Sequence, residues 1–366
     1  MRRCDVLVIG AGPAGSMAAA AAAAEGASVI MLDRKKEVGL PVQCAEYIPV
    51  QIATRFGLGR EAVVQKVDSM NTHLPDGGVT ETPFRGMICN RDRLDRRLAG
   101  LARDAGADLI CGAKATGVDG NQVTVIESGR QSAIQAEVIV GADGPASAVR
   151  SWMGLDANEF VHARQYLLPL GRELDSTEIF FRKEIPGGYG WVFPKGDDAN
   201  VGIGVDPGIG MDPGIGVDPG GAVRPGEALE VFTRELLAMG LIRSVEPLAR
   251  TGGLIPVGGQ SKLWHENMIL AGDAAGQCHP VTGAGVANAI FAGELAGAAA
   301  ARAAAGRDRE ILGDYEDSCR LFLGDTLDLA VARRKYLLPF WTADAGELSE
   351  AIKKSWIAYD EYYEDP

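Results

Sequence analysis

The sequence predicts an α/β fold: a parallel sheet wound with helices, an inserted antiparallel-sheet domain of α+β character, and helices at the C-terminal end. Three observations carry that prediction. Residues 4–9, CDVLVI, form a β-branched apolar run suited to a buried parallel strand; GAGPAG, an Ala-rich helix over about 13–24 and a second apolar strand over 27–32 follow. Two later segments repeat the strand-to-glycine step: EVIVGADGPASAVR at 137–150 and NMILAGDAAG at 267–276. Between Trp152 and Trp264 the pattern changes to short strands (166–170, 177–182, 189–194, 199–205) interrupted by one helix at about 226–239.

The first strand, turn and helix have the physics of a dinucleotide site. Gly10, Gly12 and Gly15 stand in G-x-G-x-x-G spacing. The first permits a tight turn, the second lets the backbone approach a pyrophosphate, and the third lets the helix pack on the strand. The helix N-terminus then faces the phosphate charge. Asp33, at the end of the second strand, is placed to accept hydrogen bonds from a ribose. This Rossmann-like unit by itself fits NAD or FAD, and a plain glycine turn is the bland alternative. The two later strands deliver Asp143-Gly144 and Gly272-Asp273 to the carboxyl edge of a sheet, where ligands of open α/β sheets bind. A long helix is expected from about Gly283, with Pro280 and Gly285 at its mouth, and an amphipathic helix from Arg91.

Composition narrows the function classes. Of 366 residues, 46% are hydrophobic and 23% charged, which supports a packed core and argues against wholesale disorder. The 48 glycines are about twice the usual ~7% share without a Gly-X-Y period, so they mark turns and close approaches. A net charge of −13 excludes a basic stripe for nucleic acid and a polybasic lipid anchor, but leaves apolar contact at a membrane surface open. No uncharged apolar stretch reaches the length of a transmembrane helix, and Met1-Arg2-Arg3 leads into a strand, not a secretory h-region; a cytoplasmic location is expected. The six cysteines are scattered without a CxxC pair, so neither a zinc site nor a disulfide framework is indicated.

GAGPAG, GADG and GDAAG, in that order, resemble the p-hydroxybenzoate-hydroxylase-like group of FAD proteins, which includes aromatic hydroxylases, halogenases and geranylgeranyl reductases. The resemblance implies FAD, held by Gly10, Gly12, Pro13, Ala14, Gly15, Asp33, Arg34, Cys44, Ala45, Arg91, Ala115, Asp143, Gly144, Gly272, Asp273, Gly283, Ala284, Gly285 and Val286. Arg91 would reach the FAD phosphates.

Three local features are similar to the geranylgeranyl reductases within that group. GLPVQCAEYIP at 39–49 looks like the family's G-x-P-V-x-C-G-E segment, with Ala45 in place of its glycine. PGGYGWVFPKG at 186–196 is similar to its Y-x-W-x-F-P strand, in which Tyr189, Trp191 and Phe193 share one sheet face. Residues 272–297 resemble its G-D-A-A-G-x-x-x-P-x-T-G-x-G-I helix entry, with Cys278 and His279 in the variable part. The resemblance implies hydride transfer from reduced flavin to an isoprenoid double bond of a lipid or quinone. Tyr189, Trp191 and Phe193 would wall an apolar tunnel, or be plain core. Cys44 is an active-site thiol or an inert one; Glu46 a tuning group or half of an ion pair with an arginine; His279 a proton relay or a structural histidine. NAD(P)H, ferredoxin or a quinol would supply electrons. The alternatives are a flavin monooxygenase of the same fold, a halogenase (whose W-x-W-x-I-P this chain lacks), and a flavoprotein acting on a partner protein.

The expected domains are an FAD-binding domain over 1–151 and 265–306, with 64–95 a candidate contribution to the substrate domain; an antiparallel-sheet substrate domain over 152–264; and a C-terminal helical region over 307–366, rich in aromatics. VDPGIG at 205–210 recurs as MDPGIG at 211–216 and begins again at 217–220, which reads as an expanded surface loop.

Overall fold

In the computed structural model, which describes residues 2–209 and 224–364, β1 (Arg2–Ile9) is buried from Val6 onward. It pairs in parallel with β2 (Val29–Asp33) on one side and β9 (Arg130–Gly141) on the other. Parallel pairing continues from β2 to β6 (Asp108–Cys111) and from β9 to β16 (Met268–Leu270), and β15 (Trp264–His265) closes that edge antiparallel. The order β15-β16-β9-β1-β2-β6 is that of a doubly wound sheet, with β7 (Ala113–Asp119) and β8 (Gln122–Glu127) appended to the long β9. The central strands are apolar and buried, and α1 and α6 pack against them.

Helix α1 (Pro13–Ala24) starts as the spacing predicts, with proline in its first turn, where a missing N–H costs nothing. It packs against α6 (Val286–Gly306), and small residues set the separation: a Cβ on Gly293 or Gly297 would overlap the carbonyls of Ala14 and Ala18. α3 (Arg91–Asp104), α4 (Ala148–Trp152) and α7 (Ile311–Cys319) complete this layer. The first compact unit comprises residues 1–40, 92–159 and 256–329.

The second unit comprises residues 41–91, 160–255 and 330–366. Its sheet runs β14 (Ala249–Pro256), β10 (Phe160–Pro169), β13 (Asp198–Val205), β12 (Gly190–Lys195), β11 (Ser176–Phe180), β4 (Val63–His73), β5 (Val79–Cys89) and β3 (Tyr47–Pro49). The pairing of β11 with β4 is parallel, so the sheet is mixed where an antiparallel one was expected. β4 and β5 explain why residues 41–91 fall here: their hydrogen bonds go to β11 and β3, although chain order puts them beside the dinucleotide motif. Residues 330–366, expected as part of a separate helical region, also join this unit.

One face of the second sheet carries Val192, Val201, Ile203 and Phe180, buried with Phe232 of α5 (Pro225–Ala238). The opposite face is set by register. Gly202 stands opposite both Trp191 and Gln165, and Asn200 opposite Phe193, so these residues share a side. α2 (Val50–Arg55), the end of α8 (Asp325–Leu337) and α9 (Ala345–Lys353) belong to this unit, as does Trp356, whose indole donates to Thr72 Oγ1 at 3.0 Å. In the first VDPGIG copy, Asp206 is bound by the Arg334 guanidinium at 2.6 Å; the later copies, from Gly210 on, lie outside the described residues.

Candidate functional site

In the first unit the three motif glycines have three different surroundings. Gly10 has φ +107°, and a Cβ there would overlap the Ala142 carbonyl at the end of β9. A Cβ on Gly15 would overlap the Gly10 carbonyl, so that glycine brings α1 onto the turn. A Cβ on Gly12 would meet no protein atom within 4 Å. The backbone is therefore bare at Gly12, next to a helix N-terminus with no side-chain cap. That is a cradle for a pyrophosphate, and the residues fit FAD here. Asp33 accepts the N–H groups of Ala11 (3.0 Å) and Lys35 (2.8 Å), which holds its carboxylate at the strand end with lone pairs left for a ribose; Arg34 beside it is exposed.

Gly272 and Asp273 open a tight turn that closes at Gly276, and Gly283, Ala284, Gly285 and Val286 lead into α6, whose N-terminus also lacks a side-chain cap. Side chains that the motif reading missed hold this loop. Buried Gln277 accepts the Gly272 N–H at 2.7 Å, and its carbonyl accepts Asn288 Nδ2 at 2.9 Å. Tyr315 of α7 donates to the Leu270 carbonyl at 2.6 Å, and burial raises its phenol well above the usual range. Asn158 donates to the Asp273 carbonyl (3.1 Å) and Arg150 to the Ala274 carbonyl (3.3 Å). Arg150 lay within a quoted segment; Tyr315 and Asn158 carried no local signal.

Asp143 lies between β9 and α4. Its carboxylate accepts the Ser147 hydroxyl at 2.6 Å and the Ala148 N–H at 2.7 Å, which caps α4; burial raises its pKa, opposed by those bonds. Gly144, next to it, has open space at its Cβ position. Ala115 is buried on β7. His279 accepts the Thr282 N–H on Nδ1 at 3.2 Å, so its neutral ring carries the proton on Nε2. Burial pushes its pKa down to about 4, which makes it a poor proton reservoir near neutrality. Cys278 is buried below it in the same loop.

In the second unit, Cys44, Ala45 and Glu46 form a turn ahead of β3. Glu46 has φ +70°, rare for a residue with a Cβ, and is 2% exposed. Its carboxylate pairs with Lys195, not with the arginine weighed from sequence, and accepts Asn200 Nδ2 (2.9 Å) and the Arg91 N–H (3.0 Å). Three donors at one carboxylate leave Glu46 an acceptor, not a proton donor, and its own backbone N–H is directed at Cys44 Sγ at 3.2 Å. Gln165 donates to the Cys44 carbonyl at 3.0 Å and Asn200 to the Ala45 carbonyl at 3.1 Å. Arg91 opens α3 as expected, and its backbone N–H is the group that enters this turn.

The aromatic residues divide into two groups. Tyr189 lies within 6.0 Å of Trp191 and 5.2 Å of Trp356, centroid to centroid; Phe193 lies 6.3 Å from Tyr47, which stacks on Phe84 at 5.1 Å. Burial pushes the Tyr47 phenol up to about 12. Trp191 covers Gly202, where any Cβ would overlap the indole, and donates its N–H to Gln165 at 3.0 Å. Lys195, Gln165 and Asn200 were not singled out from sequence. Only Asn200 carried a local signal, a polar residue inside the apolar run of β13.

The chain is similar to known flavoproteins over most of its length. An FAD binding domain family matches residues 3–168, and a geranylgeranyl reductase catalytic domain family matches residues 160–215. Digeranylgeranylglycerophospholipid reductase 1 of Methanothermobacter thermautotrophicus is 33% identical over 373 residues, covering 95% of this chain and 90% of its own. Among solved structures, a geranylgeranyl bacteriochlorophyll reductase-like protein of Thermoplasma acidophilum shares the fold with a TM-score of 0.81 at 24% identity, over 97% of each chain. A flavin-dependent halogenase superposes with a TM-score of 0.68 at 20% identity, over 96% of this chain and 68% of its own.

Proposed function

The chain belongs to the geranylgeranyl reductase family of FAD-dependent oxidoreductases, and on that premise we propose that it saturates the geranylgeranyl chains of a digeranylgeranyl glycerophospholipid. Reduced FAD supplies the hydride for each double bond, and a proton completes the saturation. The first unit is read as the cofactor-binding domain and the second as the substrate-binding domain. Gly12 and the α1 N-terminus hold the pyrophosphate, Asp33 the adenosine ribose, and the loop from Gly272 to Val286 presents a second uncapped helix end.

A prenyl chain offers no charge and no hydrogen-bond partner, so recognition falls to apolar shape. Tyr189, Trp191 and Phe193 supply aromatic surface on the sheet face that also carries Gln165 and Asn200. That shared face, with the Cys44 turn hydrogen-bonded to it, is the observation that carries the reading. Of the three candidate catalytic residues, Glu46 is committed as an acceptor and His279 is neutral with Nδ1 occupied. Cys44 is therefore assigned as the active-site thiol, its sulfur directed by the Glu46 N–H.

No helix among the described residues is long and apolar enough to cross a membrane. We take the enzyme to be cytoplasmic and to meet its lipid at the membrane surface, where the exposed Leu321 and Phe322 would make apolar contact. The test uses the FAD-loaded enzyme, reduced anaerobically with dithionite so that the result does not depend on whether NAD(P)H, ferredoxin or a quinol is the natural donor. Mixed with detergent-dispersed digeranylgeranyl glycerophospholipid, it should yield lipid with two added hydrogens per saturated bond by mass spectrometry. Unchanged lipid beside a flavin that stays reduced would defeat the reading.

A further inference from the structure

The Cys44 turn is held from the sheet by a hydrogen-bonded chain in which every link has one direction. It starts at Trp191, whose indole N–H can only donate, and it donates to Gln165 Oε1 at 3.0 Å. That contact fixes which end of the Gln165 amide is oxygen. Its Nε2 must then point the other way, and it donates both to the Cys44 carbonyl (3.0 Å) and to Asn200 Oδ1 (3.2 Å). The second contact fixes Asn200 in turn, so Asn200 Nδ2 faces the Ala45 carbonyl (3.1 Å) and Glu46 Oε2 (2.9 Å). The chain ends on a carboxylate, the strongest acceptor available, which Lys195 neutralises. Gln165 is 6% and Asn200 3% exposed, so water competes weakly for these bonds.

The held turn is one that the backbone resists. A glutamate at φ +70° lies in the left-handed region, which is unfavourable for a residue with a Cβ. The three carbonyl and carboxylate contacts from Gln165 and Asn200 oppose that cost. The same turn aims the Glu46 N–H at Cys44 Sγ.

We propose that Gln165 and Asn200 are positioning residues: they hold the Cys44 to Glu46 turn in its left-handed form and so set the direction of the Cys44 thiol. Trp191 orients them, which gives this aromatic residue a polar duty beyond offering surface to a prenyl chain. The proposal rests on the assignment of Cys44 as the active-site thiol.

The test uses FAD-loaded enzyme carrying Cys111→Ser, since Cys111 is the other cysteine that is not buried. Alkylation of Cys44 by iodoacetamide is followed by peptide mass spectrometry, and prenyl-lipid turnover is measured on the same samples. Gln165→Leu and Asn200→Leu should each raise the alkylation rate about tenfold and lower kcat about tenfold with KM changed less than about twofold, since misdirection of a reacting group costs rate more than binding. Trp191→Phe keeps a ring over Gly202 and removes only the indole N–H; it should shift both readouts in the same direction, about threefold. If the leucine variants fail to fold, Trp191→Phe decides. Alkylation within twofold of the parent overturns the proposal, as does altered alkylation with unchanged kcat. Cys44→Ser with undiminished turnover overturns the assignment of the thiol, and with it the proposal. An inactive Cys44→Ser beside unaltered alkylation in the variants overturns the positioning alone.

Discussion

The GAGPAG loop of the first unit and the Cys44 turn of the second both contain a backbone that an ordinary residue avoids, and they stabilise it by opposite means. At Gly10, φ +107° carries no Cβ penalty, and the loop is held by close backbone contact with Ala142 and by the Asp33 carboxylate on the Ala11 N–H. At Glu46, φ +70° does carry one, and the turn persists through side chains of three separate strands, Gln165, Lys195 and Asn200, and the Arg91 backbone N–H at a helix start. The glycine loop thus avoids the strain by lacking a side chain, whereas the strained glutamate is held by side chains from elsewhere in the chain.

The sharpest break of this comparison is at Gly15. Gly15→Val drives its side chain into the Gly10 carbonyl and should cost on the order of 4 kcal/mol or more, with loss of the folded FAD-bound protein by thermal denaturation. Gly12→Ala, two glycines apart in role, should leave the melting temperature of the FAD-free protein within a few degrees and weaken FAD binding about tenfold by fluorescence titration. Equal losses of stability in both variants would contradict the division of labour among these glycines.

Next in size is the carboxylate of the turn. Glu46→Gln leaves Lys195 without its anion and should destabilise by about 2–4 kcal/mol in urea, less than for a fully buried pair because the Lys195 side chain is 20% exposed. An unchanged urea midpoint would mean that the turn does not depend on its ion pair.

The loop before α6 adds a pH dependence. The folded state holds the His279 pKa at about 4, below the ordinary histidine value of about 6.5, so the folded protein binds fewer protons than the unfolded chain between those values. Its contribution is complete above about pH 6.5 and is lost as the pH falls toward 4, by about 2 kcal/mol at pH 5. His279→Gln should flatten the decline in melting temperature between pH 7 and pH 5; parallel curves for parent and variant would refute the depressed pKa.

The smallest effect belongs to the support of the same loop. Tyr315→Phe removes the donor to the Leu270 carbonyl and should cost about 1–2 kcal/mol, read as a lower melting temperature with Gln277 still in place. No change would show that α7 does not brace the strand end.

The parts of the molecule legible in its sequence are those whose cause is local. The strand-turn-helix over residues 2–24 follows from an apolar run, three spaced glycines and a proline at the helix start. The alternation of Trp191 and Phe193 places both on one sheet face, as register requires. Asp143 was harder: an acid at a strand end serves a ligand or a helix start, and its contacts with Ser147 and Ala148 are visible only in the structure. Residues 41–91 follow the dinucleotide motif in the chain, yet β4 pairs with β11, more than a hundred residues away, and carries β5 and β3 with it.

By itself the sequence determined the dinucleotide loop and the family, because spaced glycines and strand periodicity act on neighbours within a few residues. Only the tertiary structure decided the partners of Glu46 and the chain from Trp191 through Gln165 and Asn200 to the Cys44 turn. Those amides are more than a hundred residues from the turn they hold, and a hydrogen bond is specified by distance in space, which no local pattern encodes.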